Sequence, residues 1–135
     1  MIRGPRLGYD YLNINHAYRT EPHESYCNKK EVVREMIRLK KLLQTDSSNN
    51  ALYYYKLANA YYNMSYYGKN WLMVKQWWST EEVSSYNDDL KRTSFNDVYY
   101  GCKRARDYYL KALKATADKK LASLCCFMAG ECDKN

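Results

Sequence analysis

The 135-residue sequence predicts an all-α protein with one helical domain. Apolar side chains recur at helical spacing in several segments, charged side chains gather opposite them, and no segment alternates in the two-residue rhythm of a strand. Breakers are scarce: there are five glycines and two prolines, and both prolines, Pro5 and Pro22, lie near the start.

Residues 1–27 hold those prolines and no sustained periodicity, so they read as an irregular N-terminal arm that Tyr9, Tyr11, Tyr18 and Tyr26 can pin to the body. From 28 to 135 the chain reads as a single helical-repeat domain. Asn28 is placed to cap the first helix. At 100° per residue, Val32, Met36, Leu39 and Leu43 fall on one stripe that Val33 and Ile37 widen, with Lys30, Arg34, Arg38 and Lys41 opposite. The polar run from Thr45 to Asn50 ends that helix, and Asn49 or Asn50 can cap the next.

The second helix, about Ala51 to Met64, is apolar or aromatic apart from a narrow sector holding Lys56, Asn59 and Asn63, which predicts packing on several sides. An inserted segment follows at about 65–97. Gly68 interrupts it, Trp71, Val74, Trp77 and Trp78 are spaced as one face of a short helix, and Ser79-Thr80-Glu81-Glu82 has the pattern of a capping box. The polar stretch from Ser84 to Asp89 reads as a loop, with Tyr86 and Leu90 as anchors. From about Asn96 one long helix is predicted, with Tyr99, Cys102, Ala105, Tyr109, Ala112, Leu113 and Thr116 on one face and Lys103, Arg104, Asp107, Lys111 and Lys114 on the other. A last helix, Lys120 to about Cys132, carries Leu121, Leu124, Cys125, Met128 and Cys132.

The net charge of +7 favours acidic partners. Residues 1–50 carry nine basic and six acidic side chains, 51–100 five and five, and 101–135 eight and four, so the excess is spread over helix faces and forms no nucleic-acid arm. Cys27, Cys102, Cys125, Cys126 and Cys132 are an odd set that reads as core thiols. No apolar run approaches the roughly 18 residues that span a bilayer, and Met1 to Arg6 lacks the apolar core of a signal peptide, so the chain taken alone reads as cytoplasmic.

Two helices share one spacing, Tyr54-x-x-Leu57-Ala58-x-x-Tyr61 and Cys125-x-x-Met128-Ala129-x-x-Cys132, and the helix between them shows Ala105-x-x-x-Tyr109-x-x-Ala112-Leu113. A small residue beside a large one lets antiparallel helices approach closely. This pattern resembles the tetratricopeptide repeat and implies antiparallel helical hairpins stacked as an array. Tyr61 and Ala105 are 44 positions apart where the repeat has about nine, so a long segment is inserted, and the repeat's turn proline is missing. Residues 28–133, through Leu57 to Trp71, Tyr108 to Leu113 and Phe127 to Cys132, also resemble the C-terminal part of large uncharacterised bacterial proteins with such helices. That likeness implies a piece of a larger cell-envelope protein and attaches no activity.

His16 and His23, with Glu21 and Glu24 nearby, are too isolated to predict a metal centre, and the spacing of Cys125 and Cys132, two helical turns, suits core packing better than zinc. No nucleophile with its base, paired carboxylates or phosphate-cradling loop is present as a motif, so no catalytic residue, cofactor or metal is expected. The expected function is a non-catalytic module or scaffold for protein–protein interaction. Its predicted surface comprises Tyr66, Tyr67, Trp71, Trp77 and Trp78 of the insertion, with Lys103, Arg104, Lys111 and Lys114 as a basic edge for acidic or carboxylate groups of a peptide. A second reading is an aromatic-lined binder of single-stranded nucleic acid or glycan. A third is a structural role as the end of a longer solenoid.

Overall fold

A computed structural model describes residues 7–8, 26–27, 29–82 and 93–134. Five helices account for most of these residues: α1 Lys29–Thr45, α2 Asn50–Asn63, α3 Ser94–Tyr99, α4 Lys103–Ala115 and α5 Lys119–Asp133. Beyond the helices, Leu7–Gly8 pairs antiparallel with Tyr26–Cys27 over two residues. The cap predicted at Asn28 and the anchors Tyr86 and Leu90 lie outside the described residues, as do His16 and His23.

Helix α1 buries Val32, Met36 and Leu39. Val33 and Ile37 do not widen this stripe; they stay 47% and 48% exposed, because α1 packs mainly on α2 and one neighbour covers only a narrow strip. The turn into α2 is held by Asp46, whose carboxylate accepts from the Ser48 amide at 3.2 Å and the Ser48 hydroxyl at 2.6 Å. Asn49 precedes α2 but does not cap it through its side chain, which turns back toward Asp46 and Ser48.

Helix α2 is central, as its composition predicts, with α1 and α4 against it. Leu57, Ala58, Ala60, Tyr55 and Tyr61 are buried, but so are Asn59 and Asn63, which the sequence places on the polar sector. Beyond Asn63 the chain folds back over the helix end. Asn70 donates its amide to the Asn63 carbonyl at 2.8 Å, and a Cβ on Gly68 would overlap the Asn63 backbone, so this turn requires glycine.

The short helix expected over Trp71 to Trp78 is only a 3-10 turn, Trp71–Met73. The reason is a reciprocal clamp. Trp78 donates its indole N–H to the Tyr66 carbonyl at 2.9 Å, the Tyr66 hydroxyl donates to the Ser79 carbonyl at 2.8 Å, and the two rings stack at 5.0 Å. These bonds hold the strand of chain flat against Tyr66 rather than coiled. In the capping-box sequence, Glu82 Oε1 accepts the Ser79 amide at 2.9 Å.

The predicted long helix from Asn96 is two helices. The break falls at Tyr100 to Cys102, where Tyr99 lends its carbonyl to the Tyr66 amide at 3.0 Å and Cys102 takes the left-handed conformation with φ 50°. The insertion therefore draws the chain out of helical geometry just before α4. Ala105, Tyr109 and Ala112 of α4 are buried between α2 and α5, and α5 contributes Cys125, Met128, Ala129 and Cys132. Asp118 caps α5 by accepting the Lys120 amide at 2.9 Å.

Candidate functional site

The predicted surface residues fall into two separate groups. The first lies where α1, α2 and α4 meet. Tyr61 of α2 and Tyr108 of α4 stack nearly parallel, 5° apart at 5.5 Å between centroids, and Tyr54 lies 6.2 Å from Tyr108. Arg104 sits over the Tyr61 ring at 5.3 Å, and Lys111 over Tyr108 at 5.2 Å and Tyr54 at 5.9 Å. Residue 104 faces 61 while 111 faces 54, so α2 and α4 run antiparallel.

Lys40 of α1 completes the set, 5.6 Å from the Tyr61 ring centre and donating to its hydroxyl at 3.0 Å. That bond raises the Lys40 ammonium above its ordinary value, against burial and the nearby Arg104 charge. Burial likewise raises the Tyr108 phenol. No carboxylate among the described residues pairs with Lys40, Arg104 or Lys111, and all three are exposed. The other two predicted basic residues are placed elsewhere: Lys103 pairs with Asp97 at 3.0 Å, and Lys114 lies exposed in the last turn of α4.

The second group is the insertion. Tyr66 is buried with Tyr99 and Tyr100, and Tyr67 and Trp71 pack half-buried against them. Trp78 is spent on the clamp to Tyr66. Trp77 stands out at 60% exposed. It borders an open cleft of about 390 Å³ with Lys75, Ser79, Glu81, Glu82 and Tyr100.

At the floor of this cleft Lys75 pairs with Glu82 at 2.8 Å, and Tyr100 bridges them, accepting from Lys75 at 3.0 Å and donating to Glu82 at 2.9 Å. Burial alone would push the Glu82 carboxyl up. The bonds from Lys75, Tyr100 and the Ser79 amide outweigh it, and the carboxyl lies below its ordinary value. Lys75 shows the mirror case: burial pulls its ammonium down, and the same partners leave it raised. Its ammonium also lies 4.7 Å from the Trp77 ring centre.

Sequence reasoning misses Lys40, Lys75 and Tyr100, and sees Glu82 only as a capping residue. Lys40 belongs to a helix with its own basic face, and nothing in its neighbourhood along the chain points to Tyr61. Lys75 had one local signal, its position two residues before Trp77.

Among the described residues no cluster of three or more His, Cys, Asp or Glu is placed to hold a metal ion, and no helix is long and apolar enough to cross a membrane. Compared with family models, curated proteins and solved structures, the chain matches none.

Proposed function

We propose that the chain is a non-catalytic helical interaction module, stacked in the tetratricopeptide-like manner and part of a larger protein, that holds an acidic segment of a protein partner. The observation that carries this reading is a set of three cations, Arg104 and Lys111 over the rings of Tyr61, Tyr108 and Tyr54 and Lys40 bonded to the Tyr61 hydroxyl, with no carboxylate among the described residues paired to them. Ring contact orders these side chains before a ligand arrives, which lowers the entropic cost of binding. Their charge then selects carboxylates and speeds encounter.

Stacked bases fit this face less well. The tyrosine faces are covered by cations or by each other, and a single-stranded nucleic acid needs open aromatic platforms. Trp77 supplies a separate apolar anchor of the type found at interaction hot spots.

One observation favours a second reading, a glycan at the insertion. Trp77 offers an exposed ring face next to Ser79, Glu81 and Glu82, groups that hydrogen-bond hydroxyls, while the carboxylates repel phosphate.

The test is a titration of a labelled Glu/Asp-rich peptide against its Gln/Asn counterpart at low salt and at 0.15 M, where the screening length is about 8 Å. The acidic peptide should bind more tightly, weaken with salt, and lose roughly tenfold in affinity in Arg104→Gln/Lys111→Gln. Equal binding of both peptides, or tighter binding of an oligonucleotide, sinks the proposal.

A further inference from the structure

The rings around Lys75 build a cage for a cation. The lysine ammonium lies 4.7 Å from the Trp77 ring centre, 5.5 Å from that of Tyr99 and 5.6 Å from that of Tyr100, all inside the roughly 6 Å reach of cation–π attraction. Tyr99 and Tyr100 stand edge to face, with ring planes 81° apart, so they form a corner, and both are buried. Phe95 stacks on Tyr99, and Tyr66 packs against both tyrosines, which holds the corner in place. Trp77 is the third wall and the exposed one.

The cage keeps its anionic group without Lys75. Glu82 accepts the Ser79 amide through Oε1 and the Tyr100 hydroxyl through Oε2, each at 2.9 Å, so the carboxylate stays bonded in place when the lysine leaves. Lys75 enters from the rim: its side chain is 19% exposed against 6% for Glu82, and rotation about the bonds of its flexible stem carries the ammonium out to solvent. The adjoining cleft of about 390 Å³ is lined by two carboxylates, Glu81 and Glu82, and one cation, Lys75. That balance is negative by one charge and favours a second cation over an anion.

We propose that this cleft is an ammonium-binding site, plugged at rest by Lys75, that takes the quaternary ammonium group of a ligand when Lys75 swings out. Lys75 thus occupies the place of the ligand's cation and controls access to it. The proposal goes beyond the acidic-peptide reading and does not depend on Lys40, Arg104 or Lys111. It sets a cation against a glycan for the same tryptophan.

A quaternary ammonium suits the site better than a second primary amine. It donates no hydrogen bond, so it gives up little on leaving water, and the site offers it three rings and a carboxylate whose own bonds are already made. The displaced Lys75 ammonium regains its strong hydration in solvent, which offsets part of what it loses at Glu82 and Tyr100.

Choline is titrated against the full chain and followed by tryptophan fluorescence, beside its uncharged carbon analogue, in which a tert-butyl group replaces trimethylammonium. Choline should bind roughly tenfold more tightly than the analogue. Trp77→Ala, a change at an exposed ring, should lose roughly tenfold in choline affinity. Lys75→Ala should gain roughly tenfold, since a plug that fills the cage about nine-tenths of the time lowers apparent affinity by that factor. Lys75→Ala takes a partner from a buried carboxylate; if it does not fold, the wild-type comparison and Trp77→Ala decide alone. A trimethyllysine peptide distinguishes the sources of the group: binding tighter than choline assigns a protein ligand, and weaker binding a small molecule. Equal binding of choline and its analogue, preference for a neutral oligosaccharide over choline, or unchanged choline affinity in Trp77→Ala or in folded Lys75→Ala overturns the proposal.

Discussion

Tyr109 donates its hydroxyl to Asn59 Oδ1 at 2.7 Å, and both residues are fully buried where α2 meets α4. The Asn59 amide also hydrogen-bonds the Tyr55 hydroxyl, so one asparagine ties two tyrosines whose ring centres lie 6.2 Å apart. A polar group in such a place is stabilising only while its partner remains.

Tyr109→Phe should therefore lower stability by about 1–3 kcal/mol, because it strands the Asn59 oxygen without removing it. Adding Asn59→Leu should cost less than the sum of the single changes. Urea unfolding gives both values, provided the m-value is unchanged. A Tyr109→Phe midpoint equal to wild type means that this bond does not hold the core.

Tyr99 and Tyr100 are neighbours with opposite expectations. The Tyr99 hydroxyl is buried with no hydrogen-bond partner among the described residues, and burial pushes its phenol up to about 12. Tyr99→Phe should be neutral, or stabilise by up to about 1 kcal/mol, since it removes an unsatisfied group. Tyr100→Phe removes the bridge between Lys75 and Glu82 and should destabilise by about 1–3 kcal/mol. Equal effects of the two changes contradict this account.

Gly68 and Gly130 also divide. Gly68→Ala drives a methyl into the Asn63 backbone and should cost about 1–3 kcal/mol. Gly130 lies within α5 with nothing within 4 Å of an added Cβ, so Gly130→Ala should stabilise by about 0.5–1 kcal/mol. Thermal melts of the pair decide the matter, and loss of stability at Gly130 would show that open space there is not available.

Acid should weaken the α1–α2 turn. Bonds from Ser48 and Tyr53 hold the Asp46 carboxyl down to about 2, from an ordinary 3.8. A lowered carboxyl contributes stability that is complete above the unfolded value and lost as pH falls through the folded one. Tm should thus drop between about pH 4 and pH 2, and Asp46→Asn should flatten that part of the drop. Glu35, lowered by its bond to Arg38, and Glu82, lowered by its bonds to Lys75 and Tyr100, also lose stabilising contacts in acid, so the quantity to read is the difference between variant and wild type. Parallel curves would mean that Asp46 is not tied in the folded state.

Helix existence and core membership were largely legible in the residues. Val32, Met36 and Leu39, then Leu57, Ala58 and Tyr61, then Ala105, Tyr109 and Ala112, then Cys125, Met128 and Ala129 are buried as periodicity predicts. Each of these faces is a local property, set by residues three and four apart on one helix. Elements governed by distant contacts were not legible. The helix through Trp77 and Trp78 gives way to the clamp with Tyr66, and the break at Cys102 depends on the Tyr66 amide reaching Tyr99, more than 30 positions away.

The predicted surface divides in the same way. The basic edge of α4 is periodic and was visible, but its division was not: Arg104 and Lys111 settle on tyrosines, while Lys103 is drawn to Asp97 on α3. Lys40 joins from a helix whose own charge pattern points outward. The sequence by itself determined an all-helical chain with apolar seams on its helices. Only tertiary structure decided what each polar residue meets, and Asn59 shows why. Periodicity reports whether a side chain favours water, whereas burying an amide depends on whether a partner on another helix, here Tyr109, arrives within hydrogen-bond distance.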